Sequence, residues 1–130
     1  VGHGANTAPP DEQLTQFRLS LEKTVQIAEK KGKPAALTET GLEAIPDPQW
    51  WTDVVLSSML HSELTKKIAY FQVWRNATKA RENRDHYYAP YPGQVSAENF
   101  VEFRNHPFVW FEDDLPALYP QDLESAEQAE

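Results

Sequence analysis

The chain has 130 residues, room for one domain and one core and well short of the roughly 250 typical of a closed eight-stranded α/β barrel. Its composition is globular, 40% hydrophobic, 25% charged and 12% aromatic with four tryptophans. A net charge of −8 and a pI near 4.9 argue against nucleic-acid and anionic-membrane partners, which reward clustered Lys and Arg, and favour a neutral ligand. The absence of cysteine excludes disulfides and thiolate metal sites and leaves the redox compartment open. The chain begins at Val1 rather than methionine and is expected to start in mid-protein, so the lack of a signal-peptide pattern says little about export; no apolar segment approaches the ~20 residues of a membrane span.

Val1 to Pro10 reads as loop, with Gly2, Gly4, Pro9 and Pro10. Leu14, Phe17, Leu21, Val25 and Ala28 then recur at helical spacing, with Asp11 and Glu12 in the first turn, Lys30 and Lys31 in the last, and Gly32 as the C-terminal cap. The next stretch, Pro34 to Gly41, puts Glu39 at the end of a short apolar run and follows it with glycine. Small and apolar residues over about Ala35 to Glu39 suit a strand buried on both faces, as in parallel sheets covered by helices. Asp47-Pro48 is an N-cap followed by proline at the first helical position, predicting a helix from about Pro48 to Lys66. Trp51, Val54, Val55, Ser58, Met59 and Ser62 keep to one broad face of it, and Leu56, Leu60 and Leu64 cover much of the rest. Ile68 to Trp74 makes a second strand, ended by Arg75-Asn76. A long loop rich in aromatics and prolines follows (Tyr87, Tyr88, Pro90, Tyr91, Pro92), then a helix capped by Ser96 and running through about Arg104, and a short extended piece from Phe108 to Phe111. From Gln121 to Glu130 the chain is polar and acidic, a composition of disordered tails, which sets a boundary between residues 1–120 and 121–130.

A strand, a crossover helix and a second strand, with Ala35 and Ile68 as starts, suit a right-handed βαβ unit of roughly 30 residues. Two parallel strands alone leave both edges unpaired and too little sheet for three helices, so the expected whole is a larger α/β sheet or barrel, or an assembly of chains. A carboxylate at the carboxyl end of such a strand lies where these folds keep their chemistry, which makes Glu39 the leading candidate. Position alone leaves Glu39 open between this role and a helix cap or solvated carboxylate, and Trp74 between core and exposed platform. Trp50-Trp51 at a helix start reads as packing. His3, His61, His86 and His106 lack ligand spacing, so no metal site is read. The Tyr87, Tyr88 and Tyr91 loop suits either a ligand cleft or a packed surface loop. Lys79, Arg81 and Arg84 make at most a small basic cluster, and Glu112-Asp113-Asp114 a solvated acidic turn.

Three motifs in register, Ala36-Leu37-Thr38-Glu39-Thr40-Gly41, Val73-Trp74-Arg75-Asn76-Ala77 and Tyr88-Ala89-Pro90-Tyr91-Pro92-Gly93, resemble the C-terminal part of glycoside hydrolase family 26, the endo-β-1,4-mannanases. The resemblance covers about Glu12 to Tyr119. It implies the C-terminal portion of a (β/α)8 barrel, about the last two βα units and incomplete by itself, with β-strands seven and eight ending at Glu39 and Trp74. It implies retaining cleavage of β-1,4-mannosidic bonds in mannan, glucomannan or galactomannan, without a cofactor, by an exported or periplasmic parent enzyme. By the same resemblance Glu39 matches the nucleophile, Trp74 the aromatic platform under the sugar at the cleavage site, and Arg75 an arginine that binds sugars on the non-reducing side. The arginine also suits a structural ion pair. Retention needs two carboxyl groups roughly 5 to 5.5 Å apart. The family's acid/base glutamate lies on a strand upstream of anything matching Val1, and Glu22, Glu29 and Glu63, expected on helices, and Glu43, after the same strand end as Glu39, offer no replacement. The isolated chain is therefore expected to be inactive. The competing readings are a non-catalytic carbohydrate-binding or assembly fragment, and a related clan enzyme acting on another β-linked glycan.

Overall fold

A computed structural model describes residues 11–78, 81 and 83–116. The expected loop at 1–10 and acidic tail at 121–130 lie outside the described residues. Helix α1 spans Asp11–Lys30, with Asp11 and Glu12 in its first turn and Lys30 in its last. Its predicted stripe is the covered one: Leu21 and Val25 are buried, and Leu14, Phe17 and Ala28 are half-buried. The helix ends where predicted because Gly32 takes a positive φ of 61°, letting Lys33 N donate to Ala28 O at 2.9 Å.

Strands β1 (Ala35–Thr40) and β2 (Ile68–Val73) pair in parallel, with Ala35 opposite Ile68, Leu37 opposite Phe71 and Thr40 opposite Val73. The register is irregular between these pairs. The expectation of burial on both faces is corrected here. Phe71 and Val73 pack on the core, whereas the alternate residues Tyr70 and Gln72 are exposed, as are Thr38 and Glu39 in β1. Side chains alternate across a strand: among the described residues β2 is covered on the face of Phe71 and Val73, while Thr38 and Glu39, on opposite faces, leave β1 open on both at its carboxyl end.

The crossover begins as predicted, with Asp47 Oδ1 accepting from Gln49 N at 3.0 Å. It is not one helix to Lys66. A π-helical turn, Trp51–Leu56, runs into an α-helical turn, Ser57–Met59; together these are α2. The chain then turns and restarts as a 3-10 turn at Thr65–Lys67, leaving Glu63 in the turn rather than on a helix. Ser62 and Thr65 cause the break. Thr65 N donates to Ser62 Oγ at 3.2 Å and Ser62 N to Thr65 Oγ1 at 2.9 Å, a reciprocal cap that opens a new turn. The buried Thr65 hydroxyl also lies 3.1 Å from the Met59 carbonyl, at the end of α2. Hydroxyls of this kind compete with the backbone for helical hydrogen bonds.

Helix α3, Ala97–Asn105, follows the aromatic loop, and a 3-10 turn at Glu112–Asp114 follows it. Ser96 precedes α3 as predicted but does not cap it through its side chain; its hydroxyl turns to the core instead. Residues 108–111 form no strand. The acidic turn is not simply solvated, since Arg104 Nη2 pairs with Asp113 at 3.1 Å and Asp114 at 3.5 Å.

The core unites Leu42, Ile45, Trp50, Trp51, Val54, Val55, Leu56 and Phe103, with Phe71, Val73 and Phe100 against it. Trp50 and Trp51 are packing residues, as expected, meeting edge to face at 4.7 Å. Asn99, 2% exposed, ties α3 to α2: its Oδ1 accepts from Thr52 N at 3.1 Å and its Nδ2 reaches Gln49 Oε1 at 3.0 Å and Thr52 Oγ1 at 2.7 Å. Asn99→Ala strands these partners and is expected to lower stability by about 1 to 3 kcal/mol. Urea unfolding of the full-length protein checks this, and a change under about 0.5 kcal/mol would show that solvent replaces the amide.

Candidate active site

Parallel pairing brings the carboxyl ends of β1 and β2 together, and with them two of the residues singled out from sequence. Trp74 N donates to Thr40 O at 3.0 Å, so the backbone next to Glu39 is bonded to the residue that carries the indole. Glu39 is exposed and Trp74 is 42% exposed, which puts a carboxylate and an aromatic face in solvent at neighbouring strand ends. Trp74 is thereby outside the core. Arg75 follows it and is also exposed. A solvent-facing indole presents a flat apolar surface suited to the C–H face of a pyranose.

The loops beyond the strands are held by a strap, residues 86–89. Asn76, one of the residues that close β2, accepts on Oδ1 from Tyr88 N at 2.8 Å and from Ala89 N at 3.0 Å, and donates from Nδ2 to Ala89 O at 3.2 Å. Ala77 N donates to His86 O at 2.8 Å. On the β1 side, Ala44 N donates to Tyr87 O at 2.9 Å. Tyr88 is buried against Gly41, whose φ is 141° and where an added Cβ would fall 2.5 Å from Tyr88 Cδ1. The glycine is needed here for close approach as well as for backbone angle.

Polar groups gather under this strap. Glu43 Oε1 lies 2.8 Å from His86 Nδ1 and 3.4 Å from Arg84 Nε. Arg84, read as part of a basic cluster, is thus engaged with a carboxylate. Gln94, buried, donates from Nε2 to the carbonyls of Ala44 (3.1 Å) and Ile45 (3.0 Å), while its Oε1 accepts from Ser96 N (2.8 Å) and Ser96 Oγ (2.6 Å). Trp51 Nε1 donates to the same Ser96 hydroxyl at 3.1 Å. Burial raises the hydroxyl pKa of Tyr88 above its ordinary value, and the negative charge of Glu43 adds to this. Burial likewise raises that of Tyr87, with the Gln94 side chain pulling the other way. Among the described residues no group of His, Asp or Glu side chains is arranged to hold a metal ion. Among them, too, no helix is long and apolar enough to cross a membrane.

A family 26 β-mannanase from Bacteroides ovatus overlays this segment with a TM-score of 0.69 at 42% identity, matching 83% of this chain and 30% of its own. The chain belongs to glycoside hydrolase family 26. A modular endo-β-1,4-mannanase from Cellulomonas fimi shares the fold at a TM-score of 0.73 and 24% identity, over 87% of this chain and 25% of its own. A double mutant of a Cellulomonas fimi endo-β-1,4-mannanase aligns at 26% identity and a TM-score of 0.73, over 86% of this chain and 25% of its own. The chain therefore spans 25% to 30% of the length of these structures. No protein-family model matches the sequence, and a search of curated proteins gives no significant match.

The sequence reading missed the part played by Glu43, His86 and Gln94 in this family 26 segment. Glu43 and His86 are 43 positions apart and Gln94 lies 50 beyond Ala44, so no local spacing could have joined them. Asn76 was legible as a strand end but not as the anchor of the strap. Gly41→Ala forces the Tyr88 ring aside and is expected to destabilise the full-length protein by about 1 to 3 kcal/mol. The check is urea unfolding beside the Gly41→Ala/Tyr88→Ala pair. Gly41→Ala should cost less in a Tyr88→Ala background than in the parent if the contact with Tyr88 is its source.

Proposed function

We propose that this chain is the C-terminal portion of a (β/α)8 barrel that hydrolyses β-1,4-mannosidic bonds with net retention. The observation that carries the reading is the 42% identity to a β-mannanase over 83% of the chain, joined to an exposed Glu39 and Trp74 on adjacent parallel strand ends. In this reading β1 and β2 are the seventh and eighth strands, and their free edges and bare face meet the rest of the barrel in the longer protein.

Glu39 is the nucleophile. Its ionised carboxylate attacks the anomeric carbon of the bound mannosyl unit while the bond from that carbon to the leaving oxygen breaks. The leaving oxygen takes a proton from an acid/base glutamate elsewhere in the longer protein, and water activated by the same residue then releases the sugar from Glu39 with its original configuration. Trp74 lies under the sugar at the cleavage site and stacks on its C–H face, and Arg75 donates to hydroxyls of sugars on the non-reducing side. The substrates are mannan, glucomannan or galactomannan, polymers met outside the cytoplasm by an exported or periplasmic enzyme.

Reducing-end release from soluble glucomannan and galactomannan tests the reading, with the 130-residue chain run beside a form extended to the complete barrel. Activity in the extended form alone is expected. Activity in the short form would mean that a second carboxylate comes from within it or from another copy, and the acid/base assignment would fall. In the extended form, Glu39→Gln is expected to abolish glycosyl-enzyme formation and cut turnover by at least about 1,000-fold, with binding retained. Substantial residual turnover would remove Glu39 from the nucleophile role. Trp74→Ala should lower kcat/KM by about 10- to 100-fold, with part of the loss in kcat because the stacked sugar is the one distorted toward the transition state. An unchanged rate would leave the exposed indole without a part in the site.

A further inference from the structure

Resting on the site reading above, the geometry points to Glu43 and His86 as a positioning pair that sets the placement of Glu39 relative to Trp74. The two residues come from the two sides of the site. Glu43 lies four residues after Glu39, on the loop that leaves β1. His86 belongs to the strap, and its own carbonyl is held by Ala77, three residues after Trp74. A single side-chain link, Glu43 Oε1 to His86 Nδ1 at 2.8 Å, therefore bridges the continuations of both strands.

The chemistry of the link defines the ring. Glu43 Oε1 can only accept when ionised, and Arg84 Nη2, 3.3 Å from the same Nδ1, can only donate. Nδ1 cannot donate to one and accept from the other at once. The shorter contact to the carboxylate assigns the proton to Nδ1, as donor to Glu43, and leaves Arg84 paired with the carboxylate through Nε at 3.4 Å. The His86 side chain is only 10% exposed, against 29% for Glu43 and 62% for Arg84, so the imidazole is the buried member that Glu43 orients, with Arg84 holding the carboxylate. His86 in turn meets Tyr88 edge to face, with ring centroids 5.5 Å apart and planes at 88°, and Tyr88 is the ring that closes on Gly41. The chain of contact runs Glu43, His86, Tyr88, Gly41, and Gly41 is two residues from Glu39. Neither Glu43 nor His86 needs to touch the sugar to act in this way.

The test uses the full-length protein and four variants: Glu43→Leu and His86→Phe, which break the hydrogen bond while keeping bulk, and Glu43→Gln and His86→Asn, which keep an acceptor and a donor in place. Misplacement of a reacting group by about 1 Å costs up to about 100-fold in rate, so the breaking variants are expected to lose about tenfold or more in kcat with KM changed by less than about threefold. The conserving variants should stay within about threefold of the parent in kcat, and Glu43→Leu/His86→Phe together should be no worse than the poorer single change, because both remove one link. Rates are taken per folded molecule, with the folded fraction measured by circular dichroism. If the breaking variants do not fold, the conserving pair decides: retained kcat supports the proposal and a loss beyond about tenfold in folded enzyme overturns it. Breaking variants within about twofold of the parent in kcat, or effects that simply add, would overturn it while leaving the site reading intact, provided that Glu39→Gln in the same experiment is inactive. An active Glu39→Gln would overturn the site reading and the positioning role with it.

Discussion

The Gln94 amide is the interaction on which the end of β1 depends. Ala44 and Ile45 both hold positive φ, 61° and 38°, in the left-handed region that a β-branched residue rarely adopts. Such residues cost about 1 to 3 kcal/mol each and persist only where the surroundings over-determine them. Gln94 supplies that constraint. Its two amide hydrogens go to the two carbonyls of the strained pair, its oxygen is occupied twice by Ser96, and Ser96 is locked by the Trp51 indole. A flip of the amide would set its NH2 against the Ser96 N–H and its oxygen against the two carbonyls, so these bonds fix the orientation of Gln94 on the turn after Gly41, where Ile45 is fully buried.

That polar chain runs through an aromatic core rather than beside it. Trp51 packs edge to face on Phe100 at 4.8 Å while its N–H reaches Ser96, so one side chain anchors both the apolar cluster and the loop network. Phe103, 2% exposed, joins the same cluster to Phe71 of β2. The side of the sheet toward α2 and α3 is thus well filled. Among the described residues the opposite side is not, with Tyr70 55% exposed. This asymmetry suits a segment that matches 30% of a family 26 β-mannanase, since a parallel sheet is ordinarily covered on both faces.

The strand ends and their loops divide the work. Backbone pairing of β1 and β2 brings Glu39 and Trp74 to the same rim, and the strap through His86, Tyr88 and Asn76 ties the two exits to one another. The residues exposed at the rim are the ones proposed above for reaction and stacking. The residues beneath them are satisfied in hydrogen bonding or closely packed, which is what a rigid support for chemistry requires.

Local pattern in the sequence determined α1, both strands and their parallel pairing, the cap at Asp47 and the strand-end setting of Glu39 and Trp74, because each rests on spacings of a few residues that short-range sterics and amphipathicity read directly. The family resemblance was legible for the same reason: its motifs lie at strand ends and in one turn-rich loop. Tertiary structure alone decided the rest. The crossover helix stops at Met59 because Ser62 and Thr65 satisfy one another and the helix end, a competition between side chain and backbone that propensity does not resolve. Burial of the sheet on both faces is not met among the described residues, because a strand's cover depends on neighbours that its own residues do not encode. The joining of Glu43 to His86, of Gln94 to the strained turn and of Tyr88 to Gly41 depends on contacts across 43 to 50 positions, and nothing local marks a partner at that distance.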